Sequence, residues 1–417
     1  MLSHFKVDNF RGLRRCEMDF ARINIFVGPN NSGKSNLIHA IRFLSDILSS
    51  SAKGSALVSE IDKNGGSELL NRNASAEAPI SLSWRFRNQD FPDMDYSLAF
   101  RIPPAPSVNI GPLVFGEELR YAEPDEGFSD PFSFFKRNER KTDEAFFSVR
   151  DRASGSSGRV GLAVEKDDSI LSQSDKLLES REFREDLYPL FKKALDATKD
   201  LFQNSFVFSS ASVDLRSAKA AAPLRLGESR ISHDGSDFAA VVHHLENRYD
   251  FLRSYRDILS EILPDLERIK VVHTSEKYIS LRLFFENGQF ALHEMSDGTV
   301  KAMLLALLIW SPEALAMLFI DEPELNLHPA WQHVTAHWIL RARDVQQFFI
   351  STHSPDFLDQ FTESFRNGET AIFVGTPEGG SSFRRISPME IEESLKEGWE
   401  LGDLYRVGDP SFGGWPW

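Results

Sequence analysis

The sequence has 417 residues, 41% of them hydrophobic and 26% charged, which is enough apolar material for about two packed domains and excludes a chain disordered throughout. With 62 acidic against 47 basic residues the formal charge is −15, so blanket affinity for nucleic acid is excluded and any such contact needs a local basic patch. The single cysteine, Cys16, rules out an internal disulfide and suits a reducing, cytoplasmic setting. The opening Met1-Leu2-Ser3-His4-Phe5-Lys6 has no basic region followed by an apolar core, so no secretory leader is expected.

Alternation predicts strands at 4–8, 15–20 and 23–27. The last is a continuous apolar run that feeds Gly28-Pro29-Asn30-Asn31-Ser32-Gly33-Lys34-Ser35. Apolar periodicity at Leu37, Ile38, Ala40, Ile41 and Leu44 then predicts a helix from Lys34 to about Leu48. A strand, a glycine-rich loop and a helix in this order form a phosphate cradle. The glycines let successive backbone N–H groups converge on the phosphates, Lys34 reaches the β/γ oxygens, the Ser35 hydroxyl takes a place on Mg²⁺, and the helix adds its positive end. A nucleoside triphosphate is therefore the expected ligand, held by Gly28, Asn30, Asn31, Ser32, Gly33, Lys34, Ser35 and Asn36.

Strands resume at 80–87 and 96–102. From 103 to about 180 the character changes. Pro103-Pro104-Ala105-Pro106, Ala153-Ser154-Gly155-Ser156-Ser157-Gly158 and scattered acids mark an irregular insertion with flexible connections. Its phenylalanines (Phe128, Phe132, Phe134, Phe135, Phe146, Phe147) either pack on the remainder, the favoured reading, or meet a partner. Helical periodicity at 182–203 and 237–263 flanks residues 205–210, and strands at 269–273 and 279–285 make a hairpin-like lead-in to the segment at 295–299. Two basic clusters stand out: Lys136, Arg137, Arg140 and Lys141, and Arg216, Lys219, Arg225 and Arg230. Each reads as a solvated face or as a local DNA patch. There is no long heptad run and no internal repeat.

Three further motifs lie toward the carboxyl end. Met295-Ser296-Asp297-Gly298-Thr299 precedes an apolar helix at 302–310, so a hydroxyl, a glycine and a helix N-terminus point together at an anion; taken alone, the same residues are an N-cap turn. Leu318-Phe319-Ile320-Asp321-Glu322-Pro323 is a buried-strand run ending in two carboxylates. Asp321 suits a hold on Mg²⁺ through its water shell, while Glu322 suits polarisation of the attacking water. Phe348-Phe349-Ile350-Ser351-Thr352-His353-Ser354-Pro355 is another apolar strand, delivering a histidine that can sense the γ-phosphate. The apolar stretch 302–320 is broken by Ser311-Pro312-Glu313 and reads as helix, turn and strand, so no membrane association is expected. His333 and His337 have metal-like spacing, but Val334 stands where a catalytic acid belongs, so they read as surface or core histidines, and His243-His244 as structural. The tail Gly413-Gly414-Trp415-Pro416-Trp417 is either docked or offered to a partner.

Phosphate loop, signature turn, carboxylate strand and switch histidine, in that order, resemble the RecF/SMC-type ABC ATPases, and within them the stand-alone ATPases related to the amino-terminal half of OLD nucleases. The segments that carry this are Phe5-Lys6-Val7-Asp8-Asn9-Phe10-Arg11-Gly12-Leu13, then Gly28 to Leu37, Glu294 to Thr299, Phe319 to Pro329 and Ser351 to Pro355. They cover the first ~50 residues and roughly 290 to 360, with a weaker likeness from 205 to 290. The resemblance implies an α/β fold: an ABC/SMC-type ATPase head, with a mixed-sheet P-loop core and an antiparallel β-lobe, plus a helical subdomain and the irregular insertion. The corresponding divisions are 1–102, 103–180, 181–265 and 266–417.

It also implies ATP and Mg²⁺ as ligands, Arg11 near the nucleotide, and Lys34, Glu322 and His353 as the catalytic set. Ser35 and Asp321 would hold the metal. Ser296, Asp297, Gly298 and Thr299 would cap the nucleotide of a second copy in a head-to-tail homodimer or higher oligomer, and Glu324 and Asn326 would form the D-loop linking one hydrolysis site to the other. Met295 replaces the usual leucine, a conservative apolar change. A lid glutamine is expected, with Gln89 the nearest candidate, and phosphate contact by Arg216 or Arg225 competes with the basic-patch reading.

Too few residues follow His353 for the metal-binding nuclease domain that OLD proteins append, so ATP hydrolysis without cutting of nucleic acid is expected. Similar ATPases are commonly found beside a separately encoded nuclease or toxin in anti-phage systems. The expected function is thus an ATPase that senses foreign DNA or infection and controls such an effector. The alternative is a RecF-like DNA-binding ATPase of repair. A transporter cassette is disfavoured by the long separation of Gly28 from Ser296 and by the SMC-like opening.

Overall fold

The computed structural model describes residues 1–50, 54–75, 77–88, 91–103, 112–124, 129–150, 157–179, 189–210, 212–224, 230–376 and 381–414. Gln89, Phe128, Arg225, residues 104–106 and 153–156, the start of the helix expected from 182, and Trp415 to Trp417 lie outside them.

The chain opens with β1 (Leu2–Phe10), β2 (Leu13–Asp19) and β3 (Ile23–Val27), then α1 (Lys34–Leu48) and α2 (Ala56–Lys63). Next come β4 (Ile80–Asn88), β5 (Phe91–Arg101), β6 (Leu113–Tyr121), β7 (Ser133–Arg137), β8 (Glu144–Arg150) and β9 (Ser157–Ala163). A mixed stretch continues the chain: α3 (Ser174–Glu179), α4 (Pro189–Gln203), β10 (Ser205–Ser209), α5 (Leu215–Lys219), β11 (Ala222–Pro223), α6 (Phe238–Tyr249) and α7 (Phe251–Leu259). The remaining strands and long helices are β12 (Leu266–His273), β13 (Tyr278–Phe285), β14 (Gly288–Ala291), α8 (Asp297–Trp310), β15 (Leu315–Asp321), α9 (Pro329–Arg341), β16 (Val345–Ser351), β17 (Thr370–Thr376) and β18 (Ser382–Arg385). The chain divides into two compact units, residues 1–21, 28–205 and 373–385 in one and 22–27, 206–372 and 386–417 in the other.

In the first unit the described strands form an eight-stranded sheet, order β2-β1-β4-β5-β6-β7-β8-β9, with neighbouring strands antiparallel. Its buried face is aromatic. Phe43 of α1 stacks on Phe100 at 5.8 Å and meets Phe10 edge-on at 5.5 Å. Trp84 donates Nε1–H to the Ile41 carbonyl at 2.9 Å, so its polar edge is satisfied inside the core. The stretch 113–163 continues this sheet as β6 to β9. Phe134, Phe135 and Phe147 are buried in it, with Phe191 of α4 edge-on to the last two, so packing accounts for these rings.

A buried ion pair obscures the alternation of β6 and β7. Arg137 Nη2 meets Glu117 Oε2 at 3.0 Å with both side chains fully buried, and Tyr96 donates to the other carboxylate oxygen at 2.9 Å. Burial pushes the Glu117 carboxyl up and Arg137 opposes it. Arg137 is therefore no surface cation, while Lys136 pairs with Glu118 and Lys141 with Glu144. The first basic cluster is thereby largely neutralised.

In the second unit β15, β16 and β3 run parallel, with Phe319 opposite Phe349 and Ile350 opposite Ile25. Parallel strands are covered on both faces, which is why all three are buried almost throughout rather than on alternate residues. The second half of β17 and β18, which belong to the first unit, pair in antiparallel fashion. A separate antiparallel sheet has β13 between β11 and β12, with β14 also on β13. The helical pattern at 237–263 divides at Asp250, whose φ of 53° ends α6 and starts α7. Helix α8 is buried from Thr299 to Ile309, so its all-round apolar character marks a core helix. Among the described residues no helix is long and apolar enough to cross a membrane.

Candidate nucleotide site

The phosphate loop belongs to the first unit, immediately after β3. Its shape depends on backbone conformations that side chains oppose: Gly28 has φ 137°, Asn31 67° and Gly33 91°. A Cβ on Gly28 would lie 2.6 Å from the Gly375 carbonyl, and one on Gly33 2.5 Å from the Ser381 hydroxyl. Lys34 is buried and donates to the carbonyls of Gly28 at 2.8 Å and Pro29 at 3.0 Å, folding its ammonium back over the loop. Gly33 caps α1 without a side-chain bond, leaving the first-turn amides for an acceptor. Ser32 Oγ is buried with no hydrogen-bond partner among the described residues. An orphaned hydroxyl, open helix amides and an ammonium resting on loop carbonyls fit a phosphate chain.

Around the loop, Asn36 Nδ2 would be 3.1 Å from a Cβ on Gly12, which explains the glycine after Arg11. Arg11 itself has φ 48° and donates to Asn64 Oδ1 at 2.9 Å. Burial lowers its pKa, with Glu68 and Glu60 opposing. Ser35 is exposed at the start of α1, where its oxygen is a suitable hard donor for Mg²⁺.

The carboxylate end lies in the second unit, where β15 and β16 finish side by side with Asp321 opposite Ser351. Ser351 Oγ bonds the Asp321 carboxylate and also accepts the Glu322 amide at 3.2 Å, while the Ser351 carbonyl accepts the same amide at 3.1 Å. Glu322 is held at φ 51°, a left-handed conformation costing about 1–2 kcal/mol in a non-glycine residue. Its Oε1 lies 3.8 Å from His353 Nε2. Glu324 Oε1 accepts the His353 amide at 2.7 Å, and burial raises the Glu324 carboxyl. Ser210, following β10, donates its hydroxyl to the Glu322 carbonyl at 2.6 Å. The Asp321 carboxylate and the Glu322 backbone are thus held by hydrogen bonds within the protein.

The signature turn is tied to this end within the same unit. Ser296 Oγ accepts the Thr299 amide at 3.1 Å and so caps α8. A Cβ on Gly298 would sit 2.8 Å from the Asn326 carbonyl, so only glycine lets the D-loop pack there; Asn326 is itself left-handed at φ 62°. Three residues on, Lys301 is 2% exposed and donates Nζ to the Leu325 carbonyl. Desolvation lowers its pKa to about 8, with Glu324 and Glu322 opposing. Asp297 is paired with Lys219, and an open cavity of about 590 Å³ lined by Arg216, Lys219, Asp214 and Asp297 adjoins it.

A family model described as "AAA domain, putative AbiEii toxin, Type IV TA system" matches residues 23–359. The chain belongs to this AAA family. It is similar to the DNA replication and repair protein RecF of Lactobacillus acidophilus, 50% identical over 44 residues, 10% of this chain and 12% of that protein. It also resembles RecF of Psychromonas ingrahamii, 37% identical over 78 residues, 16% of this chain and 22% of that protein. The chain thus spans less than a quarter of the length of these curated relatives. Among solved structures it is similar to an SmcHead bound to the C-winged helix domain of ScpA (13% identity, TM-score 0.49, covering 95% of this chain and 99% of that one). Another is the SMC head domain from Thermotoga maritima (11% identity, TM-score 0.40, covering 93% and 99%). Both scores lie below 0.5 and decide nothing here.

In the second unit the carboxylate, histidine and signature segments read from the sequence lie beside one another. Ser351 links Asp321 and the Glu322 amide, Glu324 holds the His353 amide, Glu322 and His353 approach to 3.8 Å, and Gly298 packs on Asn326. His333 and His337 are exposed on α9 and belong to no metal-like cluster among the described residues. Sequence reading named Ser351 only as part of a strand motif and Lys219 only in a basic cluster, and it missed Ser210 and Lys301. For Lys301 a signal existed: a lone cation in the unbroken apolar run of α8 must either snorkel or find a buried acceptor.

Proposed function

We propose that this chain hydrolyses ATP at sites completed by a second copy, and that the motion of the pair controls an effector encoded apart from it. The observation that carries this reading is Glu322, strained at φ 51°, its amide held twice by Ser351 and its carboxylate 3.8 Å from His353. Strain kept by such a network is the mark of a residue fixed for chemistry. Lys34 exchanges the loop carbonyls for phosphate oxygens, and Glu322 takes the proton of the attacking water while His353 orients it. Asp321 and Ser35 would hold Mg²⁺, which when bound with ATP supplies charge stabilisation at the phosphoryl group. In the partner copy, Ser296 to Thr299 present the start of α8, with Lys219 offsetting the Asp297 charge that would otherwise repel phosphate.

Two features support a separate effector. The family description refers to a toxin–antitoxin system, and related OLD-like ATPases act beside nucleases or toxins in anti-phage defence. The acidic group Asp359, Glu400 and Asp403 has metal-like spacing, but Arg406 bonds Asp359 at 2.9 Å and Asp403 at 2.7 Å, a structural ion network. The RecF matches favour a second reading, a RecF-like DNA-binding ATPase of DNA repair.

Mixing tests the shared site. Ser296→Arg and Lys34→Ala should each be inactive alone, while their mixture regains about one working site per mixed dimer. Mixed dimers that form and remain dead would sink the shared site. Metal-dependent cutting of DNA by the purified wild type would sink the separate effector.

A further inference from the structure

The antiparallel sheet ahead of the signature has one face that the ATPase reading does not use. Along β13, Ile279, Leu281 and Leu283 are fully buried, so by strand alternation Tyr278, Arg282 and Phe284 turn to the other side. Arg268 and Lys270 of β12 stand opposite Phe284 and Arg282 and share that side. The Arg268 guanidinium lies 4.5 Å and the Lys270 ammonium 5.8 Å from the centre of the Phe284 ring, which orders both cations without neutralising them. No carboxylate among the described residues pairs with Arg268, Lys270 or Arg282, and Arg282 Nε is buried without a hydrogen-bond partner among those residues. Other cations of this unit are matched by carboxylates, Arg341 with Glu261 and Arg406 with Asp356 and Asp359 among them. At one edge of the cationic face Tyr278 is 47% exposed.

We propose that this face of β12 and β13 binds single-stranded nucleic acid, Arg268, Lys270 and Arg282 taking phosphates and Tyr278 stacking on a base. Three carboxylate-free cations on a chain of charge −15 form the kind of local patch that binding a polyanion requires. Residues two apart on a strand advance about 6.8 Å, a step that neighbouring phosphates of an extended strand can follow. An exposed ring beside such a groove supplies sequence-tolerant stacking. The site needs neither ATP nor a second copy, so it goes beyond the ATPase reading and can fail independently of it.

The test is fluorescence anisotropy of the full chain, without nucleotide, against a labelled mixed-sequence single-stranded oligonucleotide and its duplex at several salt concentrations. Wild type should bind the single strand more tightly, with affinity falling steeply as salt rises. Arg268→Ala/Lys270→Ala should weaken binding at least tenfold and flatten the log–log salt slope by about 1.4, two phosphate contacts' worth. Tyr278→Ala should weaken the single strand about 5- to 150-fold, a stacked base's worth, and leave the duplex unchanged. Basal ATP turnover, unchanged in all variants, shows that they fold. Absence of wild-type binding overturns the proposal. So does a double variant that binds normally, or equal displacement of the oligonucleotide by polyglutamate, which would make the face a dock for an acidic protein.

Discussion

The phosphate loop, in the first unit, and the carboxylate end, in the second, are held in shape by different physics. The loop is set by backbone: left-handed Gly28, Asn31 and Gly33, contacts too close for a Cβ, and side chains that remain adaptable, Lys34 resting on carbonyls and Ser32 without a partner. The carboxylate end is set by side-chain bonds, with Ser351, Ser210 and Glu324 each holding a neighbour in place. The proposed function assigns binding to the loop and turnover to the network. Substitutions in the loop should cost affinity, and those in the network should cost rate.

Glu322→Gln is the sharpest probe of that division. The amide keeps the shape of the side chain and removes its basicity, so turnover should fall about 10²- to 10⁴-fold while ATP affinity stays within about twofold of wild type, unlike Lys34→Ala, which should lose binding. Single-turnover hydrolysis and equilibrium ATP titration measure the two separately. Normal turnover in Glu322→Gln would remove the residue from the role of base.

Gly28→Ala tests the loop. Its φ of 137° and the 2.6 Å approach to Gly375 should cost ATP affinity about tenfold or more. Gly66, at φ 61° with open space around its Cβ position, is the matched control: Gly66→Ala should lower the melting temperature by a few degrees and leave affinity untouched. Equal loss of affinity in both would mean that strain alone, rather than the cradle's shape, matters.

The same contrast explains what the sequence made legible. The loop, β3, α1 and the ends of β15 and β16 could be read because their geometry is fixed by neighbours a few residues away: glycines, an apolar run, a periodic helix. The continuation of the first sheet through β6 to β9 could not, because the inward-facing Glu117 and Arg137 satisfy each other only across strands and break the apolar alternation. Gly298 was legible as a turn residue, whereas the reason for it, the Asn326 carbonyl 2.8 Å from where a Cβ would be, is a contact between distant segments. Ser351 and Lys301 act through partners 29 and 24 residues away; the apolar run around Lys301 signals that its charge needs an acceptor but not which one.

Lys301 offers the smallest and most discriminating effect, because it links the signature helix to the D-loop without being placed on the nucleotide. Its ammonium faces Glu324 and Glu322 and holds the Leu325 carbonyl, so we propose it as a positioning residue that keeps both carboxylates oriented relative to α8. Lys301→Met, similar in length and uncharged, should lower kcat about tenfold with KM unchanged, and Lys301→Arg should recover most of it. The pKa near 8, below the ordinary 10.5, fixes two opposite pH trends. Between about pH 8 and 10.5 the unfolded chain binds this proton more tightly than the folded one, so the contribution of Lys301 to stability rises with pH across that window. Over the same rise the charge reaching Glu322 is lost, so wild-type kcat should decline above pH 8 while Lys301→Arg, which stays charged, should hold its rate. A purely structural lysine would leave the two pH profiles parallel, and that outcome would reduce Lys301 to packing.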